Sequence, residues 1–153
     1  MKLNFVHVQN IRVRYSETDR MGYCYHGNYA SYFELGRVEA LRALGVVYKS
    51  LEDQGILLPV ISMNTSFKAP AIYDDQLRLE TRLVSASNCT LEFSYMLYNQ
   101  SGVLLTTAST VLVFVCQASH SLIQNQKRLL KIGFDKSDVI CPQENSINPV
   151  IKV

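Results

Sequence analysis

One carboxylate, Asp19, lies a few residues before the start of a predicted helix at Asn28. Gly22 and Gly27 stand between them and permit backbone turns that other residues resist. The first amides of a helix lack partners inside the helix, and together with the helix dipole they stabilise negative charge. A carboxylate beside such amides suits acyl hydrolysis, because it supplies a base or nucleophile while the amides stabilise the oxyanion. The same amides favour a charged Asp19, which fits a base or nucleophile rather than a general acid.

Each of these side chains also has a structural explanation. An Asp shortly before a Gly commonly forms a turn, and an isolated histidine such as His26 is usually a hydrogen-bonded structural residue. Cys24 and His26 would form a Cys–His pair, but no third group that orients the histidine is evident, so a cysteine nucleophile is not predicted. Glu34 either lines a pocket or pairs with Arg37, three residues later, on an exposed helix face.

The elements around this segment are one long helix and several strands. In the first strand Ile11, Val13 and Tyr15 alternate with arginines, which is typical of a half-buried strand. The long helix is predicted to begin with Asn28 as its N-cap and to end at Gly45, the residue favoured just past a helix. The predicted strands are 5–15, 56–69, 76–86, 89–99 and 103–118, and the predicted helices are 28–44, 48–54 and a weak one at 124–131.

The long helix is unusually apolar. Tyr29, Phe33, Ala40 and Leu44 fall on one stripe, and few charged positions remain, so we expect protein to surround most of the helix. Gly36 in its middle costs about 1 kcal/mol relative to Ala, so close packing against another backbone is expected. Short turns between the later strands favour antiparallel neighbours. The pattern predicts an α+β fold in which a curled antiparallel sheet wraps around one long central helix.

Length and composition predict one domain over residues 1–153, with 134–153 as an unassigned tail. No repeat or Pro/Gly-rich linker divides the chain, and 48% hydrophobic with 18% charged residues is ordinary for a folded protein. A net charge of +2 is too small to indicate nucleic acid as the main partner, although it tolerates a polyanionic small ligand. A single sheet layer leaves edges and one face uncovered, which favours a homodimer or a dimer of dimers.

The spacing of cysteines and histidines predicts neither a metal site nor a disulfide framework. The residues are Cys24, Cys89, Cys116, Cys141, His7, His26 and His120. No C-x-x-C pair occurs and no zinc spacing can be assembled, so free thiols in a reducing compartment are expected. The start of the chain has no long apolar core, and no apolar run approaches the ~20 residues of a membrane helix. These features predict a cytoplasmic protein without stable membrane insertion.

Two blocks of the sequence resemble the 4-hydroxybenzoyl-CoA thioesterase family, and within it the branch that includes the Tol-Pal-associated acyl-CoA thioesterases. The resemblance covers roughly residues 8 to 118. The first block is Tyr15, Thr18, Asp19, Gly22, Tyr25, His26, Asn28, Tyr29, Phe33, Glu34, Arg37, Glu39, Leu41, Arg42, Leu44 and Gly45. The second block is Phe67, Lys68, Ala69, Pro70 and Ala71, followed by Tyr73, Asp74 and Asp75.

This resemblance implies an acyl-CoA hydrolase of the hotdog fold that assembles as dimers and often tetramers. Asp19 falls on the catalytic Asp, which acts as nucleophile or activates water. His26 falls where the family places the backbone amide that polarises the thioester carbonyl, and its side chain would also help to position the substrate. Glu34 falls on an acidic position that lines some family pockets. We also expect substrate contacts from Gly22, Tyr25, Gly27, Asn28, Tyr29, Phe67 and Lys68.

The chain departs from the family pattern at Tyr23 and Cys24, which replace a small apolar pair, and at Met21, which replaces a smaller residue. These departures bear on the size of the acyl group rather than on the reaction. No metal or redox cofactor is expected, and coenzyme A enters only as part of the substrate. The alternatives are an enoyl-thioester hydratase of the same fold and a non-catalytic acyl-CoA binder. Thioesters of acyl-carrier protein also remain open as substrates.

Overall fold

The computed structural model describes residues 5–87 and 89–123. Within them the elements follow one another as a strand, two helices and six further strands. They are β1 Val6–Arg12, a 3-10 turn Tyr15–Glu17, α1 Asn28–Ala43, α2 Tyr48–Asp53, β2 Ile56–Leu57, β3 Val60–Phe67, β4 Gln76–Ala86, β5 Thr90–Tyr98, β6 Leu104–Val113 and β7 Val115–Cys116. The helix predicted at 124–131 and the unassigned tail 134–153 lie outside the described residues.

Five of these strands form one antiparallel sheet in the order β1-β4-β5-β6-β3. A second, two-stranded sheet pairs β2 with β7. A hairpin turn joins β5 to β6, in which Oδ1 of Asn99 accepts from the amides of Ser101 and Val103 and Gly102 has a φ of 77°. With α1 packed against β1 and β4 on one face, the sheet has the hotdog layout that the sequence predicts.

The core lies between α1 and this sheet. Alternation along β4 and β5 turns Leu79, Leu83 and Phe93 inward, where they are fully buried. Phe33 of α1 stacks on Tyr95 of β5 with ring centroids 4.7 Å apart. The buried face of α1 consists of Tyr29, Tyr32, Phe33, Gly36, Ala40 and Leu41.

The expectation that protein surrounds most of α1 is wrong for the single chain. Ala30 and Leu35 are exposed, because the sheet covers one side of the helix only. Gly36 is closely packed, as predicted from its place in mid-helix, but the atoms nearest to it belong to side chains rather than to another backbone. A Cβ atom at this position would stand 2.4 Å from Oγ1 of Thr81 and 2.7 Å from Cδ2 of Leu79. The absence of a side chain therefore lets α1 approach β4.

Four predictions about these elements differ from the structure. The strand predicted at 103–118 is two strands, β6 and β7, which lie in different sheets. The first strand ends at Arg12, because the backbone turns at Tyr15–Glu17. The strand predicted at 56–69 is two strands, interrupted at Pro59, which has no amide hydrogen for a sheet ladder. The N-cap of α1 is Gly27, and Asn28 is its first helical residue. The turn at Gly45 is as predicted, with a φ of 85°.

The expectation of free thiols holds for two of the described cysteines and is wrong for a third. Cys24 is buried and free, and Cys89 is half-buried and free. Cys116, at the end of β7, is disulfide-bonded. Sequence spacing does not reveal such a bond, because pairing depends on which residues the fold brings together. Among the described residues, no helix has the length and apolar content needed to cross a membrane.

Candidate active site

The loop between β1 and α1 is fastened to the segment that joins β3 and β4. Within the loop, Thr18 pairs with Cys24 and the amide of Asp19 donates to the carbonyl of Tyr23 at 2.8 Å. Across to the other segment, Tyr23 pairs with Ile72 and the amide of Cys24 donates to the carbonyl of Ala71 at 2.7 Å. This pairing holds the residues that follow β3 beside Asp19.

The carboxylate of Asp19 has one oxygen held by the loop. Its Oδ1 accepts from the amide of Met21 at 2.9 Å and from the amide of Tyr23 at 3.4 Å. Gly22 closes this turn with a φ of 78°, and its amide donates to the carbonyl of Asp19 at 2.9 Å. The other oxygen, Oδ2, has no hydrogen-bond partner among the described residues. The half-buried side chain is thus oriented by one oxygen and leaves the other for chemistry.

Glu17 organises the loop from both its backbone and its side chain. Its carbonyl accepts from the amide of Tyr25 at 2.8 Å and from Nδ2 of Asn28 at 2.7 Å. Its Oε2 accepts from the amide of Arg14 and from the hydroxyl of Tyr32, each at 2.8 Å. Sequence reasoning missed this residue, although it stands two positions before Asp19 in the same block. Its contacts fix the start of α1 relative to the loop.

The start of α1 leaves two amides available. The amide of Asn28 donates to the carbonyl of Tyr25 at 3.0 Å, and that of Tyr29 donates to the carbonyl of His26 at 3.3 Å. The amides of His26 and Gly27 donate to no acceptor within the described part of the chain. The exposed ring of His26 lies against that of Tyr25, with centroids 4.3 Å apart. Free amides at a helix start form a site suited to a developing oxyanion.

A cavity of about 320 Å³ opens between the loop, the start of α1 and the end of β3. Its lining is Asp19, Tyr23, Cys24, His26, Tyr29, Phe67, Lys68, Ala69 and Pro70. The cavity thus brings together five of the predicted site residues. The other five, Gly22, Tyr25, Gly27, Asn28 and Glu34, do not line it.

Three of those five still shape the cavity without lining it. Gly22 closes the Asp19 turn, Asn28 ties the helix start to Glu17, and Gly27 is the N-cap of α1. Glu34 is exposed on α1 and forms no ion pair with Arg37, although a pairing at this spacing was one of its two expected roles. Four lining residues were not predicted as contacts, because their approach depends on the pairing of two distant segments: Tyr23, Cys24, Ala69 and Pro70.

The Cys24 thiol is poorly suited to act as a nucleophile. Burial raises its pKa above the ordinary value, more than the hydrogen bond from Tyr32 lowers it. Its Sγ lies 3.5 Å from the hydroxyl of Tyr32, whose own pKa burial raises as well. A protonated thiol at neutral pH agrees with the expectation that no Cys–His pair carries the reaction. Among the described residues, no group of three or more His, Cys, Asp or Glu side chains is placed to hold a metal ion.

Comparisons with known proteins agree with this geometry. A family model described as Thioesterase superfamily matches residues 21–106, more than half of the chain. YneP of Bacillus subtilis strain 168 is 34% identical over 119 residues, which cover 78% of this chain and 86% of YneP. YbgC of Escherichia coli O157:H7, named an acyl-CoA thioester hydrolase, is 31% identical over 105 residues, which cover 69% of this chain and 78% of YbgC.

A solved structure gives the same result. The DHNA-CoA thioesterase from Staphylococcus aureus superposes with a TM-score of 0.77 at 34% identity, over 80% of this chain and 82% of that protein. The family match begins two residues after Asp19, covers the rest of the loop, α1 and the strands from β2 to β5, and ends within β6, so that β1 and Asp19 lie outside it. The chain therefore belongs to the thioesterase superfamily and is a thioester hydrolase of the hotdog fold.

Proposed function

We propose that this protein hydrolyses an acyl-CoA to the free acid and coenzyme A, with Asp19 as its catalytic carboxylate. The observation that carries the proposal is the cavity that Asp19 and His26 line together at the start of α1. The name of the Escherichia coli relative, an acyl-CoA thioester hydrolase, supports the substrate class. The aromatic lining from Tyr29 and Phe67, whose ring centroids are 5.0 Å apart, offers an apolar surface to the acyl group.

In this proposal the thioester carbonyl oxygen lies at the free amides of His26 and Gly27. Those amides stabilise the negative charge that develops on the oxygen as the carbonyl carbon becomes tetrahedral. Oδ2 of Asp19 either takes a proton from an attacking water molecule or attacks the carbon itself. Collapse of the tetrahedral species breaks the C–S bond, and the thiolate of coenzyme A leaves and takes up a proton. A direct attack forms an anhydride, which water then hydrolyses.

Release of free thiol from a panel of short, long and aromatic acyl-CoAs tests the reaction and identifies the acyl class. We expect turnover of at least one class by the wild-type protein. The same acyl groups carried on acyl-carrier protein form the comparison series. Turnover of the carrier-protein thioesters alone would contradict the CoA assignment. Binding of acyl-CoAs without turnover of any thioester would favour the non-catalytic alternative.

We further propose that the protein works as a homodimer, itself able to pair into a tetramer. Support comes from β3, which is an edge strand of the large sheet and leaves one row of backbone groups unpaired in the single chain. Its apolar side chains Val60, Ile61, Met63 and Phe67 are all exposed. Because Phe67 also lines the cavity, a second copy seated along β3 would close the site from its open side.

A charge on this strand should separate the copies. We expect Met63→Lys to shift the wild-type oligomer to monomer in size-exclusion chromatography with light scattering, because a buried unpaired ammonium group is costly. Thioester turnover should fall as the oligomer is lost. Val103→Lys is the matched control, since Val103 has a similar exposure in the β5–β6 turn, away from the edge. A wild-type monomer, or a Met63→Lys oligomer unchanged in size, would contradict the proposal.

A further inference from the structure

A second concave surface lies across one turn from the active-site cavity. It is a groove of about 540 Å³ between the end of β1, α1 and the turn before β4. Ile72 pairs with Tyr23, which lines the active-site cavity, and the next residue, Tyr73, lines the groove. The two concavities therefore stand on opposite sides of the same short turn. Ile11 and Leu35 give the groove an apolar part.

Two tyrosines at this groove are unusually open to solvent. Tyr15 is 78% exposed and Tyr73 is 56% exposed. Their rings meet edge to face, with centroids 5.6 Å apart and planes at 87°. The contact holds both rings in place while leaving faces uncovered. An aromatic pair of this kind is a stacking surface for a flat heterocycle such as a nucleobase.

The groove also has a positive charge that nothing in the described residues neutralises. Arg12 is already engaged, because its guanidinium donates to the Asp74 carboxylate at 3.0 Å and to Oε1 of Gln76 at 2.6 Å. That ion pair also neutralises Asp74, the acidic side chain that lines the groove. The exposed guanidinium of Arg14 has no acceptor among the described residues. A planar cation without a partner, beside two exposed aromatic rings, suits a phosphate group of a nucleotide.

We propose that this groove binds the nucleotide end of the coenzyme A substrate, with the adenine against Tyr15 and Tyr73 and a phosphate on Arg14. The inference rests on the proposed function, because it assigns a site for the non-reacting end of an acyl-CoA. The pantetheine arm would cross the turn at Ile72 and carry the thioester to Asp19. Acyl-carrier protein lacks the adenine, so the groove selects acyl-CoA over a carrier-protein thioester.

Kinetics on a matched pair of thioesters tests this assignment. Arg14→Met and Tyr73→Leu are compared with wild type on an acyl-CoA and on the acyl-pantetheine with the same acyl group. We expect the KM for acyl-CoA to rise about tenfold, as for the loss of one charge-assisted hydrogen bond, with an unchanged kcat. The KM for acyl-pantetheine should stay the same. Arg82→Met, at an exposed arginine of β4 without an ion pair in the described part of the chain, is the control.

Binding of adenosine 3′,5′-bisphosphate, measured by calorimetry, gives a readout that does not need turnover. We expect the wild type and Arg82→Met to bind the bisphosphate, and Arg14→Met and Tyr73→Leu to bind it more weakly. This result would support the groove as a nucleotide site even if no thioester were hydrolysed. In that case the proposed function alone would fail. Equal effects of the variants on both thioesters, or no effect on either, would overturn the assignment. So would unchanged bisphosphate binding in the variants, provided that circular dichroism shows them folded.

Discussion

Asp19→Asn is expected to lower kcat by about 10²- to 10⁴-fold, the range for removing a positioned general base. The amide cannot take a proton from water or attack a thioester. It keeps an oxygen at the Oδ1 position, which still accepts from the amides of Met21 and Tyr23. The loop should therefore keep its shape, and the variant should unfold at the wild-type temperature. Thiol release and thermal unfolding on the same preparation measure the two effects.

The matched control for this experiment is Asp53→Asn. Asp53 pairs with Lys49 on the exposed face of α2, at 3.0 Å, so its change also removes one carboxylate charge. A surface pair of this kind contributes little to stability, and it lies outside the active-site lining. We expect wild-type turnover from Asp53→Asn. If Asp19→Asn retained wild-type turnover, Asp19 would be a turn residue only and the mechanism would be wrong.

Sequence reasoning located the loop and helix that carry the site, because their signals are local. Gly45 terminates α1 where the glycine rule places it, and the alternation along 76–86 matches β4 residue for residue. The block around Asp19 identified the family, which the comparisons confirm. Its Tol-Pal-associated branch stays a prediction. The cytoplasmic location also stays a prediction. The disulfide at Cys116 weakens the argument from free thiols on which that prediction partly rested.

The rest of the site depends on contacts between segments that are distant in the chain. Ala69 and Pro70 reach the cavity because Cys24 and Tyr23 pair with the residues that follow them. No periodicity within either segment encodes that pairing. The role of Glu17 likewise cannot be read from the sequence, since its hydrogen-bond partners lie on the loop and on α1. The sequence alone therefore predicted five residues of the cavity lining, Asp19 among them, but not the pairing of the two segments that forms the rest of its wall.

Gly36→Ala is expected to destabilise the protein, although Ala is the better helix former. The new methyl group would stand 2.4 Å from Oγ1 of Thr81 and 2.7 Å from Cδ2 of Leu79, both on buried β4 residues. Overpacking of this kind costs about 1–3 kcal/mol, whereas the helix propensity gained is about 1 kcal/mol. We expect a net loss of up to about 2 kcal/mol in the free energy of unfolding, measured by urea denaturation at one fixed protein concentration.

A second substitution at Thr81 separates this clash from any other effect of the alanine. Thr81→Ala removes the Oγ1 atom, which is buried without a hydrogen-bond partner, so Gly36→Ala/Thr81→Ala should regain most of the lost stability. Thr81→Val puts a methyl group where Oγ1 was, so its double variant should stay destabilised. Ser31→Ala, on the exposed face of α1, should leave stability nearly unchanged. Equal stability of the two double variants would show that Thr81 does not set the distance between α1 and the sheet.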